Sequence, residues 1–230
     1  MPVGIESRNF LIYGPPGSGK TTVAQGVCQK EGLEYLSVGA ITRSEISRGT
    51  ELGNALKTCL GRVIEYPPEL IARTMKPYII NARGFLLDGY PKYKEEVPSF
   101  FQILDEVGLT INGILVLNLS VKEAQTRALQ RKICTICGLQ TRGKENHCNS
   151  CGGQLKVRED DHPEIFSRRF NDHIQTINQS LAELQKYIPS LNILSIRADR
   201  GISKVLSEVH SIIINESPGS SAERAHAKLV

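Results

Sequence analysis

Short apolar runs alternate with amphipathic stretches along most of the chain. Residues 9–13 (Asn-Phe-Leu-Ile-Tyr) read as a buried strand, and 20–31 as a helix with Val23, Ala24 and Val27 on one face. A second short strand fits 34–37. From 39 to about 81 the pattern is helical in pieces, broken by Gly49, Gly61 and Pro67-Pro68. The run 84–89 is apolar and ends on a carboxylate, Asp88. A helix over 95–107 closes at Gly108, and a fourth strand lies within 111–119. A helix over 121–132 leads into a turn-rich segment, 133–157, that carries most of the cysteines. A long helix fits 163–187, ended by Pro189, followed by a fifth strand at 193–196 and a last helix at 201–214. Strands alternating with helices predict an α/β fold, a five-stranded parallel sheet with helices on both faces. The tail from Glu216 is rich in Ser, Pro, Gly, Ala and charges, a composition that predicts disorder.

The 230 residues suit one large domain, or a core with small insertions. A hydrophobic fraction of 40% is enough for a sizeable core, and a net charge of +4 suits anionic small molecules without demanding nucleic acid. No apolar run approaches the roughly 18 residues of a membrane helix. The first strand begins near residue 9, which leaves no room for a signal peptide, so a cytoplasmic location is expected.

The most informative stretch is Gly14-Pro15-Pro16-Gly17-Ser18-Gly19-Lys20-Thr21-Thr22, between the first strand and the first helix. Glycine, four residues, then Gly-Lys-Ser/Thr in that context is a phosphate-binding loop. Small residues let backbone N–H groups curl around phosphate oxygens, and the helix N-terminus adds unpaired donors. Lys20 places a point charge on the outer phosphates, and Thr21 offers a hydroxyl to Mg²⁺. Such a loop works with a carboxylate at the end of a neighbouring strand, and Asp88 is the best placed. Phosphoryl transfer also needs cations around the transferred group. Arg127 and Arg131 lie four apart, hence on one face of the expected 121–132 helix; Arg158, Arg168 and Arg169 follow the cysteine segment.

Cys134-Thr-Ile-Cys137, ten residues, then Cys148-Asn-Ser-Cys151 has the form of a zinc ribbon, each turn presenting two thiolates. Four cysteines close the shell, so the role is structural, and metal would supply the folding energy that so short a segment lacks. Iron also suits a four-thiolate shell. His147 is an alternative ligand beside Cys148.

With these residues in place, the chain resembles the adenylate kinases, specifically the long form with a zinc-binding lid, from residue 8 to about 214. Gly84-Phe-Leu-Leu-Asp-Gly-Tyr-Pro-Lys92 is similar to that family's signature, and Glu51-Leu52-Gly53 to part of its acceptor-binding region. The resemblance implies a phosphate-loop NTPase fold with an inserted zinc-ribbon lid, and reversible transfer from Mg²⁺·ATP to a nucleoside monophosphate. Catalysis would rest on Lys20, Asp88, Arg131, Arg158 and Arg169, with Arg127 stacked on the donor adenine. The donor would lie along Gly14, Pro15, Gly17, Ser18, Gly19, Lys20, Thr21 and Thr22. The acceptor would meet Ser37, Val38, Arg43, Gly89, Lys92 and Glu96. The core would comprise 1–36, 69–126 and 163–215, the acceptor flap 37–68, the lid 127–162, and the tail 216–230. A monomer is expected.

The chain departs from the family pattern at Val38 and Ala40, where the family has threonine and aspartate, and at Lys92, where it has arginine. Glu96 stands where the family has an adenine-reading glutamine. An ionised carboxylate only accepts hydrogen bonds, which raises GMP or CMP as alternative acceptors. The cysteine pairs also stand closer together than is usual in the zinc lid. A GTPase would need Asn-Lys-x-Asp, which Asn118-Leu-Ser-Val does not supply. A zinc-ribbon ATPase acting on nucleic acid is the rival from another class, and a regulatory nucleotide binder is a third reading.

Overall fold

A computed structural model describes residues 8–59, 66–137, 140–157 and 163–216. Strand β1 (Asn9–Tyr13) is buried along its whole length and enters helix α1 (Lys20–Glu31) through the glycine-rich loop. Strand β2 (Glu34–Ser37) leads directly into α2 (Val38–Arg48), then α3 (Glu51–Cys59) and α4 (Pro68–Asn81). Strand β3 (Phe85–Asp88), a 3-10 turn at Lys94–Glu96, α5 (Val97–Val107) and β4 (Gly113–Asn118) follow. Helix α6 (Val121–Leu129) gives way to β5 (Arg131–Cys134), β6 (Gln140–Arg142) and β7 (Leu155–Val157). The chain returns through the 25-residue α7 (Pro163–Tyr187), β8 (Ile193–Arg197) and α8 (Ile202–Asn215).

The main sheet has five strands in the order β2-β3-β1-β4-β8, every pair parallel. Its strands read as continuous apolar runs because both faces are covered. Successive residues of β1 serve opposite layers. Leu11 and Tyr13 join Phe85, Leu87 and Ile114 beneath residues of α4, α5 and α7, among them Met75, Phe100 and Ile177. Phe10 and Ile12 join Leu86, Leu115 and Leu117 beneath Val23 and Val27 of α1 and Val205 and Val209 of α8. Each fully buried side chain of this kind contributes about 1.5–3 kcal/mol, so the strand beneath the loop is its best anchored element.

Two expectations need correction. Helix α6 stops at Leu129, three residues short of the expected end, so Arg131 does not share a helix face with Arg127. It opens β5, where its backbone pairs with Arg142. The 133–157 segment is also more than turns: β5 is the centre of an antiparallel sheet in the order β6-β5-β7. These strands of 3–4 residues are too short to show a period of two. Alternating partners on both sides nevertheless satisfy the backbone groups a helix would have used.

Arg158 lies outside the described residues, as does the tail after Glu216.

Candidate active site

The loop between β1 and α1 is pressed against its surroundings, and that contact dictates its glycines. At Gly17, φ is +84°, and a Cβ would stand 2.5 Å from the Ala124 carbonyl oxygen of α6. Only glycine fits on both counts. The Ser18 backbone N–H donates to the Pro15 carbonyl at 3.1 Å, closing the curl. The Ser18 side chain is 3% exposed, and its hydroxyl has no protein partner among the described residues. An orphaned buried donor inside a curled loop suits an anionic oxygen. A cavity of about 580 Å³ opens over this loop, a volume in the range of a nucleotide site. Gly17, Gly19, Lys20, Thr21 and Thr22 form its floor; Arg127, Arg131, Thr141 and Arg200 stand around it.

Lys20 donates to the Gly14 carbonyl and, at 3.4 Å, to that of Pro15. Burial pulls its ammonium below the usual lysine range; the Asp88 carboxylate offsets part of this, while Arg131 and Arg169 add to it. Three cations and a carboxylate therefore share one field although Arg131 and Arg169 lie on different elements. Arg127 donates through Nη1 to the Ala198 carbonyl and through Nη2 to Glu123 Oε1, both at 2.8 Å, which fixes its guanidinium at the cavity wall. Arg168, grouped with Arg169 in the sequence, is exposed and faces Asp172 of its own helix at 3.9 Å.

Asp88 ends β3 and lies opposite Ile12 of β1 and Ser37 of β2. The Tyr35 hydroxyl donates to Asp88 Oδ2 at 2.8 Å. Tyr35 and a second side chain, His173, were not among the residues read from the sequence. Position was the only available signal: Tyr35 precedes Ser37 by two on one strand face, and His173 follows Arg169 by four on α7. His173 Nε2 lies 3.1 Å from the Gly14 carbonyl. Burial, with Lys20, Lys92 and Arg169 nearby, pushes its imidazole down to about 4. It is thus neutral near pH 7, and Nε2 carries the proton that the carbonyl accepts.

On the other side of Asp88, Ser37 caps α2, its hydroxyl accepting from the Ala40 N–H at 3.4 Å. Val38 opens that helix, and Arg43, exposed, lays its guanidinium over Gly39. Gly89 has φ +83° and leads into a cis Tyr90–Pro91 bond. The Pro91 carbonyl accepts from the Tyr13 hydroxyl at 2.6 Å and from Ser180 Oγ at 3.0 Å, anchoring the loop to β1 and α7. Lys92 Nζ donates to the Tyr93 hydroxyl and lies 4.4 Å from that ring's centroid, a cation–π contact. Glu96 is 4% exposed. Its Oε2 accepts from the Lys92 N–H at 2.6 Å and from the Tyr93 N–H at 3.4 Å. The carboxylate thus caps the backbone of the turn that carries Lys92.

The four thiols converge. Cys134 and Cys151 sulfurs lie 3.4 Å apart, Cys137 and Cys148 3.6 Å, and all four lie within 4.8 Å of one another. A tetrahedral ion with bonds of about 2.3 Å needs sulfurs about 3.8 Å apart, so the group fits zinc. The Cys137 and Ile136 N–H groups aim at the Cys134 sulfur and pull its thiol down to about 6. At Gly153 a Cβ would meet that sulfur at 2.8 Å, so the second turn closes only with glycine there. His147 stands outside the cluster, bridged to Gln154.

The family model described as Adenylate kinase matches residues 12–190. Among curated proteins, the chain is 36% identical over 176 residues to one named Adenylate kinase from Thermococcus sibiricus, covering 74% of this chain and 79% of the relative. It is 32% identical over 185 residues to a protein of the same name from Pyrococcus furiosus, covering 77% and 84%. A third such protein, from Desulforamulus reducens, is 30% identical over 214 residues, covering 87% and 97%.

Proposed function

Because the chain belongs to the adenylate kinase family, we propose that the surroundings of Lys20 and Asp88 are where it transfers the γ-phosphoryl group of ATP to AMP, reversibly, giving two ADP. The chain is a phosphotransferase of the nucleoside monophosphate kinase type. GMP or CMP as acceptor, and an ATPase acting on nucleic acid, are not favoured by relatives named for adenylate. The engagement of Glu96 supports this: a carboxylate committed to the backbone of its own turn is a poor base reader.

An oxygen of the AMP phosphate attacks the γ-phosphorus, and the bond from that phosphorus to the β–γ bridging oxygen breaks. Lys20 follows the transferring group, while Arg131 and Arg169, with Arg158, offset the charge spread over its oxygens. Arg127 carries the donor base at the wall formed with Ala198. Lys92 and Arg43 grip the acceptor phosphate, with Val38 beside the acceptor base. Thr21 and Asp88 are hard oxygen donors at the ends of adjoining elements, a set that suits Mg²⁺. Mg²⁺, when bound, neutralises the β- and γ-phosphate oxygens. The acceptor flap is 37–68 and the lid 127–162, held by zinc on Cys134, Cys137, Cys148 and Cys151. Both close over the site, because an open site would pass the phosphoryl group to water. A monomeric cytoplasmic enzyme is our reading; no helix among the described residues is long and apolar enough to cross a membrane.

The observation that carries this reading is the gathering of Asp88, Arg131 and Arg169 around Lys20, which with Arg131 lines a nucleotide-sized cavity. A coupled assay of ADP formed from ATP with AMP, GMP, CMP and UMP tests it. AMP is expected to be preferred, and Lys20→Met to lower kcat by roughly 10²–10³. Turnover independent of Lys20 or of AMP overturns the reading.

A further inference from the structure

On β2, Tyr35 and Ser37 share one face, and Ser37 lies opposite Asp88 on β3. The half-buried Tyr35 ring runs along the sheet toward that end, and its hydroxyl meets Asp88 Oδ2 at 2.8 Å. The Thr21 and Ser37 hydroxyls lie in the neighbourhood of the same phenolic oxygen. One side chain thus stands beside the first turn of α1 and is bonded to the end of β3, two elements that share no hydrogen-bonded ladder. As donor it occupies one oxygen of Asp88 and fixes the orientation of the carboxylate.

We propose that Tyr35 is a positioning residue for the catalytic metal: it fixes the orientation of the Asp88 carboxylate so that its free oxygen meets the ion's coordination shell beside Thr21. Tyr35 itself touches neither substrate nor metal. The inference rests on the reading above that Asp88 and Thr21 serve Mg²⁺. It explains why a large polar aromatic occupies the strand beside the phosphate loop, where an aliphatic side chain would pack as well. Groups that orient metal-binding side chains in this way typically alter metal affinity by 10–100-fold when removed.

The test uses Mn²⁺ as an oxygen-seeking probe, titrated into the full-length enzyme saturated with a non-hydrolysable ATP analogue, with free Mn²⁺ read by electron paramagnetic resonance. Wild type, Tyr35→Phe, Asp88→Asn and the double variant are compared. Tyr35→Phe is expected to weaken Mn²⁺ binding about tenfold and to shift the Mg²⁺ activation midpoint to the same degree. The KM for AMP is expected to stay put. Because Tyr35 acts through Asp88, the double variant is expected to bind Mn²⁺ no more weakly than Asp88→Asn alone. If Asp88→Asn weakens Mn²⁺ binding and Tyr35→Phe does not, the inference about Tyr35 fails by itself. If Tyr35→Phe lowers only the thermal midpoint, or if the two losses simply add, it fails likewise. If Asp88→Asn binds Mn²⁺ like wild type, the magnesium reading fails and takes the inference with it.

Discussion

Replacing His173 by Gln isolates a charge balance that the fold imposes on its own phosphate loop. The imidazole is held among Lys20, Lys92 and Arg169, with its Nε2 on the Gly14 carbonyl. Burial is the largest influence, the three cations add to it, and the carbonyl pulls the other way; the result is a folded-state value of about 4. In the unfolded chain the same group titrates near ~6.5. Between those values the unfolded chain takes up a proton that the native protein refuses. Stability therefore falls as pH falls from 6.5 toward 4, and the effect levels off below. For these two values the loss between pH 7 and pH 5 comes to about 2 kcal/mol. Glutamine can keep a donor to the Gly14 carbonyl but takes up no proton. Urea unfolding midpoints of wild type and His173→Gln, measured from pH 7 to 5, are expected to diverge steadily, the variant losing less. Other titrating groups contribute alike in both proteins and cancel in the difference. Parallel curves would refute the assignment of a depressed imidazole.

Other consequences are as direct. At Gly53 a Cβ would stand 2.0 Å from the Glu45 carbonyl oxygen, so Gly53→Ala is expected to cost at least about 2 kcal/mol by separating α3 from α2, read as a lower urea midpoint. Arg127→Ala frees the Ala198 carbonyl wall and is expected to raise the KM for ATP about tenfold, with a smaller change in kcat, in steady-state assays. Metal analysis is expected to find one zinc per chain. Its removal by a strong chelator is expected to lower the thermal midpoint and abolish amide protection across β5–β7 while sparing β1 and β3.

Elements that bury one face or both were legible in the sequence, because their spacing records what covers them. That holds for β1, α1, β3, α7 and α8, each within a residue or two. The small antiparallel sheet left no such record: β5, β6 and β7 are only 3–4 residues long, too short for a side-chain period to show. Arg131 shows the consequence, since helical spacing carried past Leu129 assigned it to the wrong element. Residues with a chemical motif, such as Lys20 and the four cysteines, announced themselves. Tyr35 and His173 did not, because their significance lies in what they approach across the fold, 53 and 159 positions away. Glu96 was legible as an oddity, but its capping of the Lys92 turn required the turn to be built.

The strand order has a consequence for how the molecule comes into being. The phosphate loop is made well before the partners of its strand, for β1 takes its neighbours from Phe85–Asp88 on one side and Gly113–Val116 on the other. Until those segments leave the ribosome, the nascent motif has no walls to hold its curl. Pairings of such long sequence separation form slowly. Nucleotide capture by a growing chain would therefore switch on only after residue 118 has emerged. Stalled fragments shorter than that would present an unsheltered apolar strand to chaperones and to one another.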